Sequence, residues 1–334
     1  MLRRNRVLLP VVVAVAAWHA LVVWRSTPSK LDSVTWLELK YEWLSWFVGL
    51  TNYFRFSDVF AQETMHSALW NGTGYDLHLL NHLTANATRS TLHTLPSPAR
   101  ILDAGCGWGG TAFALYKKQE QEGGDRFFYD GLTLSATQVR RATSSAAARG
   151  LGPHCRFFVG SYEDMLPSMD YGVVVALESL EHATDLPAVL RHFSRALLPG
   201  GALVVATDLA RSPSVQRQAH VNAIWLHEYR QHWAGPHTSA WSPPLPLEWW
   251  QQEVARAGFR LAEHRPLSSK LMVRSRRGLA TYFGMLQSTF RFATAAGMIG
   301  LASVISSQVG GVARELLLHD EAIEYSFLVF QKIK

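Results

Sequence analysis

A glycine-rich bend between an apolar strand and a helix constrains this chain more than any other feature. It reads Leu102-Asp103-Ala104-Gly105-Cys106-Gly107-Trp108-Gly109-Gly110-Thr111. Residues 100–103 ahead of it have the short apolar pattern of a buried strand, and 111–121 behind it run on as a helix. Glycine permits a tight turn and lets a ligand approach the backbone closely. The same rhythm recurs downstream. Strands are predicted at 127–134, 156–159, 172–177 (GVVVAL) and 202–207 (ALVVAT), with helices at 135–149 and 186–197. A helix at 247–257 and strands at 259–263 and 325–331 complete the set. Repeated strand–helix units of this kind imply an α/β protein with a mostly parallel sheet and helices on both faces.

Composition narrows the function classes. Hydrophobic residues make up 48% and charged residues 17%, which gives a substantial core and rules out a disordered chain. The formal charge of +6 comes without a long Lys/Arg run, so a nucleic-acid arm is not indicated. The two cysteines, Cys106 and Cys155, lie in no Cys/His spacing that would hold a metal, and no metal site is expected.

The N-terminus carries a second signal. Residues 7–24 are uncharged and just long enough to cross a bilayer, with Arg3, Arg4 and Arg6 before them and Arg25 and Lys30 after. A single-pass membrane anchor is the preferred reading, which leaves the compartment open between endomembrane and organelle. A cleaved signal peptide and an organelle presequence remain as alternatives. Residues 36–60 are rich in Trp, Tyr and Phe at helical spacing. They read equally as a helix packed on the main domain or as one lying in the membrane interface. Residues 265–320 form a long insertion with a basic stretch followed by an apolar one at 292–306, too short and too rich in small residues to read as a membrane span. The expected organisation is an anchor (1–30), an aromatic-rich helical cap (31–95) and a main domain (96–334) with a helical lid insertion at about 265–320.

The glycine pattern alone does not choose a ligand, because dinucleotide and S-adenosylmethionine folds share it. Asp103 stands two residues before the first glycine. The second strand ends in Gly131-Leu-Thr-Leu-Ser rather than in the acid that a dinucleotide site expects. Pro199-Gly200-Gly201 then leads into the 202–207 strand. Taken together, DAGCGWGGT (103–111), GLTLSATQVRRA (131–142), ALESLEH (176–182) and LLPGGALVVAT (197–207) resemble the small-molecule and lipid branch of the class I S-adenosylmethionine-dependent methyltransferases. That branch includes tocopherol, sterol and phosphoethanolamine methyltransferases and the cyclopropane fatty acid synthases. The likeness covers about residues 60–264 and the last strand.

The resemblance implies a Rossmann-like seven-stranded sheet whose last strand is antiparallel, with S-adenosyl-L-methionine as cofactor. It implies that Asp103 lies near the methionine end of the ligand and that Gly105, Gly107 and Gly109 line its methionine and ribose side. Thr133, Leu134, Ser135 and Gln138 would surround the ribose, and Ser161 and Tyr162 the adenine edge. The family usually has Asp where this chain has Ser161. Leu177 and Glu178 would close the floor of the methionine pocket. The segment Met65-His66-Ser-Ala-Leu-Trp70 resembles a stretch that helps cover the ligand, or is ordinary helix packing.

Methyl transfer from a sulfonium needs positioning and a dry pocket more than acid–base machinery. A phenol or enol acceptor would need a base, and His182 beside Glu181 is the first candidate. Both residues read equally well as a helix cap or a pocket wall. Glu178 could bind an ammonium-bearing acceptor, orient the ligand or make a structural hydrogen bond. Cyclopropane synthases add an upstream cysteine that this chain lacks, so ordinary methylation of O, N or an activated carbon is preferred. The expected partner is a small, lipophilic acceptor (a sterol, quinol or isoprenoid-like molecule). A soluble amine or phenolic metabolite, or a non-catalytic binding module, are the alternatives.

Overall fold

The computed structural model describes residues 41–42, 67, 69–73, 75–76, 78–123, 127–164, 166, 170–212, 219–234, 244–271 and 276–333. The expected anchor at 1–30, most of the aromatic-rich segment and Met65 and His66 lie outside them. Among the described residues no helix is long and apolar enough to cross a membrane.

Seven strands form one sheet: β3 (Ala99–Ala104), β4 (Phe127–Thr133), β5 (Cys155–Val159), β6 (Tyr171–Leu177), β7 (Leu197–Ala210), β8 (Phe259–Pro266) and β9 (Ile323–Lys332). A two-residue pair, β1 (Leu69–Trp70) and β2 (Tyr75–Asp76), precedes them. The spatial order is β5-β4-β3-β6-β7-β9-β8. Every neighbouring pair is parallel except the two that involve β9, which runs antiparallel to β7 and β8. The expected α/β, Rossmann-like topology with a reversed last strand is therefore present. Chain order turns back at β3, with β4 on one side and β6 on the other. Ligands of open α/β sheets bind outside the carboxyl ends of the strands at such a switch point.

Alternating side chains of the sheet feed two cores, one on each face. On one face Leu102, Val174, Leu203 and Phe330 meet α4 (Leu186–Ala196) and α6 (Leu247–Arg256). Trp250 of α6 stacks on Phe330 with ring centroids 6.0 Å apart. On the other face Ile101, Val173, Val204 and Phe327 meet α1 (Leu79–Leu92) and α2 (Gly110–Glu122), with Ala146 of α3 (Ala136–Ala148). That layer thus begins upstream of residue 96, at α1. Away from the ligand edge, buried Asp130 of β4 ties four adjacent strands together. It takes Arg156 of β5 at 2.8 and 2.9 Å, Arg100 of β3 at 3.2 Å and the Tyr171 hydroxyl of β6 at 3.1 Å.

The insertion is helical. α7 (Arg276–Ala295) and α8 (Ile299–His319) form a hairpin. Its turn at Gly297 (φ +69°) has Met298 N–H donating to Ala293 C=O at 2.8 Å and Gly297 N–H to Thr294 C=O at 3.1 Å, the paired bonds of a Schellman ending. The apolar stretch 292–306 straddles this turn and is not one helix. Leu279, Phe283, Val309, Val312 and Leu316 pack with Tyr229 from α5 (Ala219–Tyr229) in a third core. A π-helical turn, Arg230–Ala234, follows α5. Gly310 lets α8 pass against it, because a Cβ there would lie 2.5 Å from the backbone nitrogen of Trp233.

Candidate active site

The glycine bend sits at the carboxyl end of β3, between the ends of β4 and β6. Gly105, Gly107 and Gly109 all have positive φ, at +112°, +52° and +84°, a region that costs side-chain-bearing residues dearly. At Gly105 a Cβ would also lie 2.5 Å from the Cβ of Ser179. The N–H groups of Gly105 and Cys106 both donate to Leu132 C=O, at 2.9 and 3.0 Å, which ties the bend to β4. The N–H groups of Gly107 and Trp108 make no backbone hydrogen bond among the described residues. Trp108 is itself buried, its ring covered by the Arg141 guanidinium at 4.0 Å.

Asp103 lies beneath the bend. It is buried, accepts the Tyr129 hydroxyl proton and bonds to Thr111 at the start of α2. Burial raises its pKa to about 7, partly offset by those two hydrogen bonds. Its carboxyl fixes the bend from below.

The β4–α3 turn is built largely by the residues expected around the ribose. Thr133 Oγ1 donates to Gln138 Oε1 at 2.6 Å, and Ser135 Oγ accepts from Gln138 N–H at 3.2 Å as the N-cap of α3. Both of these side-chain bonds are internal to the turn, while Leu134 stands half-buried between them. An unforeseen residue joins them. Glu42 accepts from Ser135 Oγ at 2.8 Å and from Thr137 N–H at 3.0 Å, both through Oε1. Burial alone would raise the Glu42 pKa, but the Thr137 and Ser135 bonds and nearby Arg140 outweigh it and lower the value.

Ser161 Oγ accepts from Glu163 N–H at 3.1 Å. An Asp there would close the same local turn, so the departure from the family's pattern leaves the loop geometry intact. Tyr162 reaches beneath its loop to donate to Ser179 C=O at 2.8 Å and packs against Phe193.

After β6 the chain gathers most of the charge. Leu177 is buried in the sheet core. Glu178 has φ +50°, an uncommon conformation for a residue with a side chain and one that clusters at functional sites. Its carboxylate accepts from Ser67 Oγ at 2.6 Å and lies 3.7 Å from Arg314 of α8. Arg314 forks onto Asp208 of β7 at 2.6 and 2.9 Å, and Tyr229 donates to the same Asp208 at 3.1 Å. Burial works against the Arg314 charge, but Asp208 and Glu178 hold its pKa well above the ordinary value. Glu181 is buried and accepts from Thr207 Oγ1 at 2.9 Å, while its Oε2 has no hydrogen-bond partner among the described residues. Burial, then the Asp208 charge, raises its pKa to about 8. His182 Nε2 meets the Tyr41 hydroxyl at 2.5 Å. Neither Glu181 nor His182 caps α4, because Asp185 does, accepting from Ala188 N–H at 2.9 Å.

The structure thus brings the expected residues of the glycine bend, the β4–α3 turn, the 161–162 loop and the 177–182 stretch to one edge of the sheet, while Met65 and His66 lie outside the described residues. Tyr41, Glu42, Thr207, Asp208, Tyr229 and Arg314 were not anticipated there, whereas Ser67 belongs to the 65–70 segment expected to help cover the ligand. Two of them left a trace in the sequence: Asp208 directly follows the predicted 202–207 strand, and Arg314, with Glu315 beside it, interrupts a largely apolar helical run.

A model of the methyltransferase domain matches residues 76–264. Ajmaline N-methyltransferase of Rauvolfia serpentina is 32% identical over 122 residues, which cover 36% of this chain and 40% of that protein. The sterol 24-C-methyltransferase of Aspergillus fumigatus is 34% identical over 107 residues, 32% of this chain and 27% of that protein. The chain therefore spans less than half the length of these two relatives. Among solved structures, a cyclopropane synthase of Mycobacterium tuberculosis superposes with a TM-score of 0.58 at 18% identity, covering 91% of this chain and all of that one. With the reversed seventh strand, the glycine bend and this family match, the chain belongs to the methyltransferase-domain family, in the class I, S-adenosylmethionine-dependent group.

Proposed function

We propose that this chain transfers a methyl group from S-adenosylmethionine to a small lipophilic acceptor at the carboxyl edge of β3, β4 and β6. The observation that carries the reading is the bend of three positive-φ glycines, where the N–H groups of Gly107 and Trp108 have no backbone partner among the described residues, set beside the buried carboxyls that follow β6. The residues present fit such a cofactor. Gly105, Gly107 and Gly109 give the bend its positive-φ path, the β4–α3 turn is pre-formed by Thr133, Ser135 and Gln138, and Glu178 is held in a fixed orientation by Ser67 and Arg314. When bound, the cofactor supplies an electrophilic methyl on a sulfonium. The protein's part is to orient an acceptor in line with that methyl and to keep water out. His182 and Glu181 are the groups at hand for a proton that the acceptor must lose, with Tyr41 fixing the imidazole.

Residues 7–24 support a membrane tether on their length and lack of charge. The α7–α8 hairpin supports a lid over an apolar acceptor, and a tethered enzyme beside a bilayer is suited to lipophilic molecules. The sterol-modifying relative is in keeping with this. The test is incubation of the protein with methyl-labelled donor and fractionated lipid and metabolite extracts. Label is expected in the lipid fractions, and label confined to polar soluble metabolites would overturn the acceptor class.

A further inference from the structure

Of the seven large apolar side chains that stand exposed among the described residues, four belong to the α7–α8 hairpin. They are Tyr282 (37%), Met285 (64%), Phe292 (67%) and Leu301 (40%). The first three recur at i, i+3 and i+10 and so share one stripe of α7. Leu279, Phe283 and Ala293 form a separate stripe, buried with α5 and α8 in the third core. One apolar stripe therefore serves the fold, and α7 carries a second. Phe292 lies in the last turn of α7 and Leu301 in the first turn of α8, so both flank the turn at Gly297.

The polar groups of the hairpin are selective too. No Asp or Glu occurs from 276 to 314. Arg276 is committed to Asp320, whereas Arg277 and Arg291 are exposed. Their spacing is close to four whole turns, which puts them on one flank of α7, beside the apolar stripe. Four exposed residues of α7 carry hydroxyls, and all four donate back into their own helix. Ser288, Thr289 and Thr294 reach the carbonyls of Gly284, Met285 and Phe290 at 2.9 Å, and Thr281 reaches that of Arg277 at 3.4 Å. In hydrocarbon a hydroxyl needs such an internal partner, because no water is there to supply one. This face can therefore leave water without orphaning a hydroxyl. A second copy of the chain is a poor cover for it. A symmetric contact would set Arg277 and Arg291 against their own counterparts, with no acid on the hairpin to meet them.

We propose that this face of the hairpin docks on a bilayer with anionic headgroups. Tyr282, Met285, Phe292 and Leu301 enter the boundary between headgroups and acyl chains, and Arg277 and Arg291 meet the headgroup phosphates. The helix lies along the surface and does not cross it, in keeping with the lack of a spanning helix among the described residues. Interfacial helices bind by these two terms together, apolar burial and the attraction of Arg or Lys to anionic lipid. The same hairpin reaches Asp208 and Glu178 through Arg314, so docking would set the functional edge of the sheet beside the lipid. The proposal goes beyond the methyl-transfer reading and does not depend on it, because it rests on the outer face of the hairpin alone.

The test places an environment-sensitive fluorophore on the face itself, in the full chain, through Met285→Cys or Phe292→Cys. Cys106 and Cys155 are buried, so the introduced thiol takes the label. Ser144→Cys, at an exposed position of α3, is the control. Each labelled chain is mixed with phosphatidylcholine vesicles, with or without about 30% phosphatidylglycerol. Probes at 285 and 292 are expected to brighten roughly threefold on the anionic vesicles, to be quenched there by brominated acyl chains, and to respond less than half as much to the neutral ones. The probe at 144 should stay in water throughout. Adding Arg277→Glu and Arg291→Glu should bring the anionic response down to the neutral level. A chain held to vesicles by residues 7–24 alone would leave both hairpin probes in water, and that result would overturn the proposal. So would equal responses to the two vesicle types, an anionic response that survives both Arg→Glu changes, or probes already dry before vesicles are added, which would mean that protein covers the face. Either labelled position suffices should the other variant not fold.

Discussion

Single positions around the bend carry unequal weight. At Gly105 the positive φ and the contact with Ser179 act together. Gly105→Ala is expected to cost about 2–4 kcal/mol of stability, read by urea unfolding, through backbone strain and overpacking. Arg314 is buried with two carboxylates in reach. Arg314→Met leaves Asp208 charged and unpaired in the interior, at a cost of about 3–5 kcal/mol. The double change Arg314→Met with Asp208→Asn should recover part of it, and strict additivity of the two would contradict the pairing. Glu181 and Asp103 are raised to about 8 and about 7, above the ordinary carboxyl range. The folded state therefore binds more protons than the unfolded chain between pH 4 and pH 8, and stability falls as pH rises through that window. Glu181→Gln should flatten the fall, on the order of a few kcal/mol across the window, in unfolding curves at pH 5 and pH 8. An unchanged slope would show that the carboxyl titrates normally.

At the scale of elements, the β3-to-β7 half was legible because its strands are short apolar runs punctuated by Gly and Pro, and its helices are apolar at one-face spacing. Bounds moved little, except that β7 extends to Leu197–Ala210 because Pro199-Gly200-Gly201 is absorbed as an irregularity against β6 rather than breaking the strand. The contacts that complete the site were not legible. Glu42 meets Ser135 across 93 positions and Tyr41 meets His182 across 141, and no local periodicity encodes such pairings. Glu42 serves α3 as a second cap. Glu42→Ala should cost about 1 kcal/mol and speed hydrogen exchange at the Thr137 amide, and unchanged exchange there would deny the contact. The helical character of the insertion was legible, but its packing was not, since Gly310 reads locally as a helix weakness while its role is close approach to the Trp233 backbone.

Across the whole molecule, the sheet sets one edge aside for chemistry and the rest of the chain closes on it. Residues 41–42 approach from the N-terminal side, Arg314 from the insertion, and both meet residues at the carboxyl ends of β4, β6 and β7. The glycine bend on this edge was readable from glycine spacing, whereas the charged cluster beside it draws on six separate stretches, at Tyr41, Ser67, 178–182, 207–208, Tyr229 and Arg314. The measurement that bears most directly on the account is calorimetric titration of S-adenosylhomocysteine and of NAD into the wild-type chain and into Gly107→Val, with circular dichroism as the check on folding. Saturable one-to-one binding of S-adenosylhomocysteine by the wild type is expected, with no binding of NAD and with affinity lost in a folded Gly107→Val, where a β-branched side chain meets φ +52°. Equal affinity of the two chains for S-adenosylhomocysteine, or a preference for NAD, would contradict it.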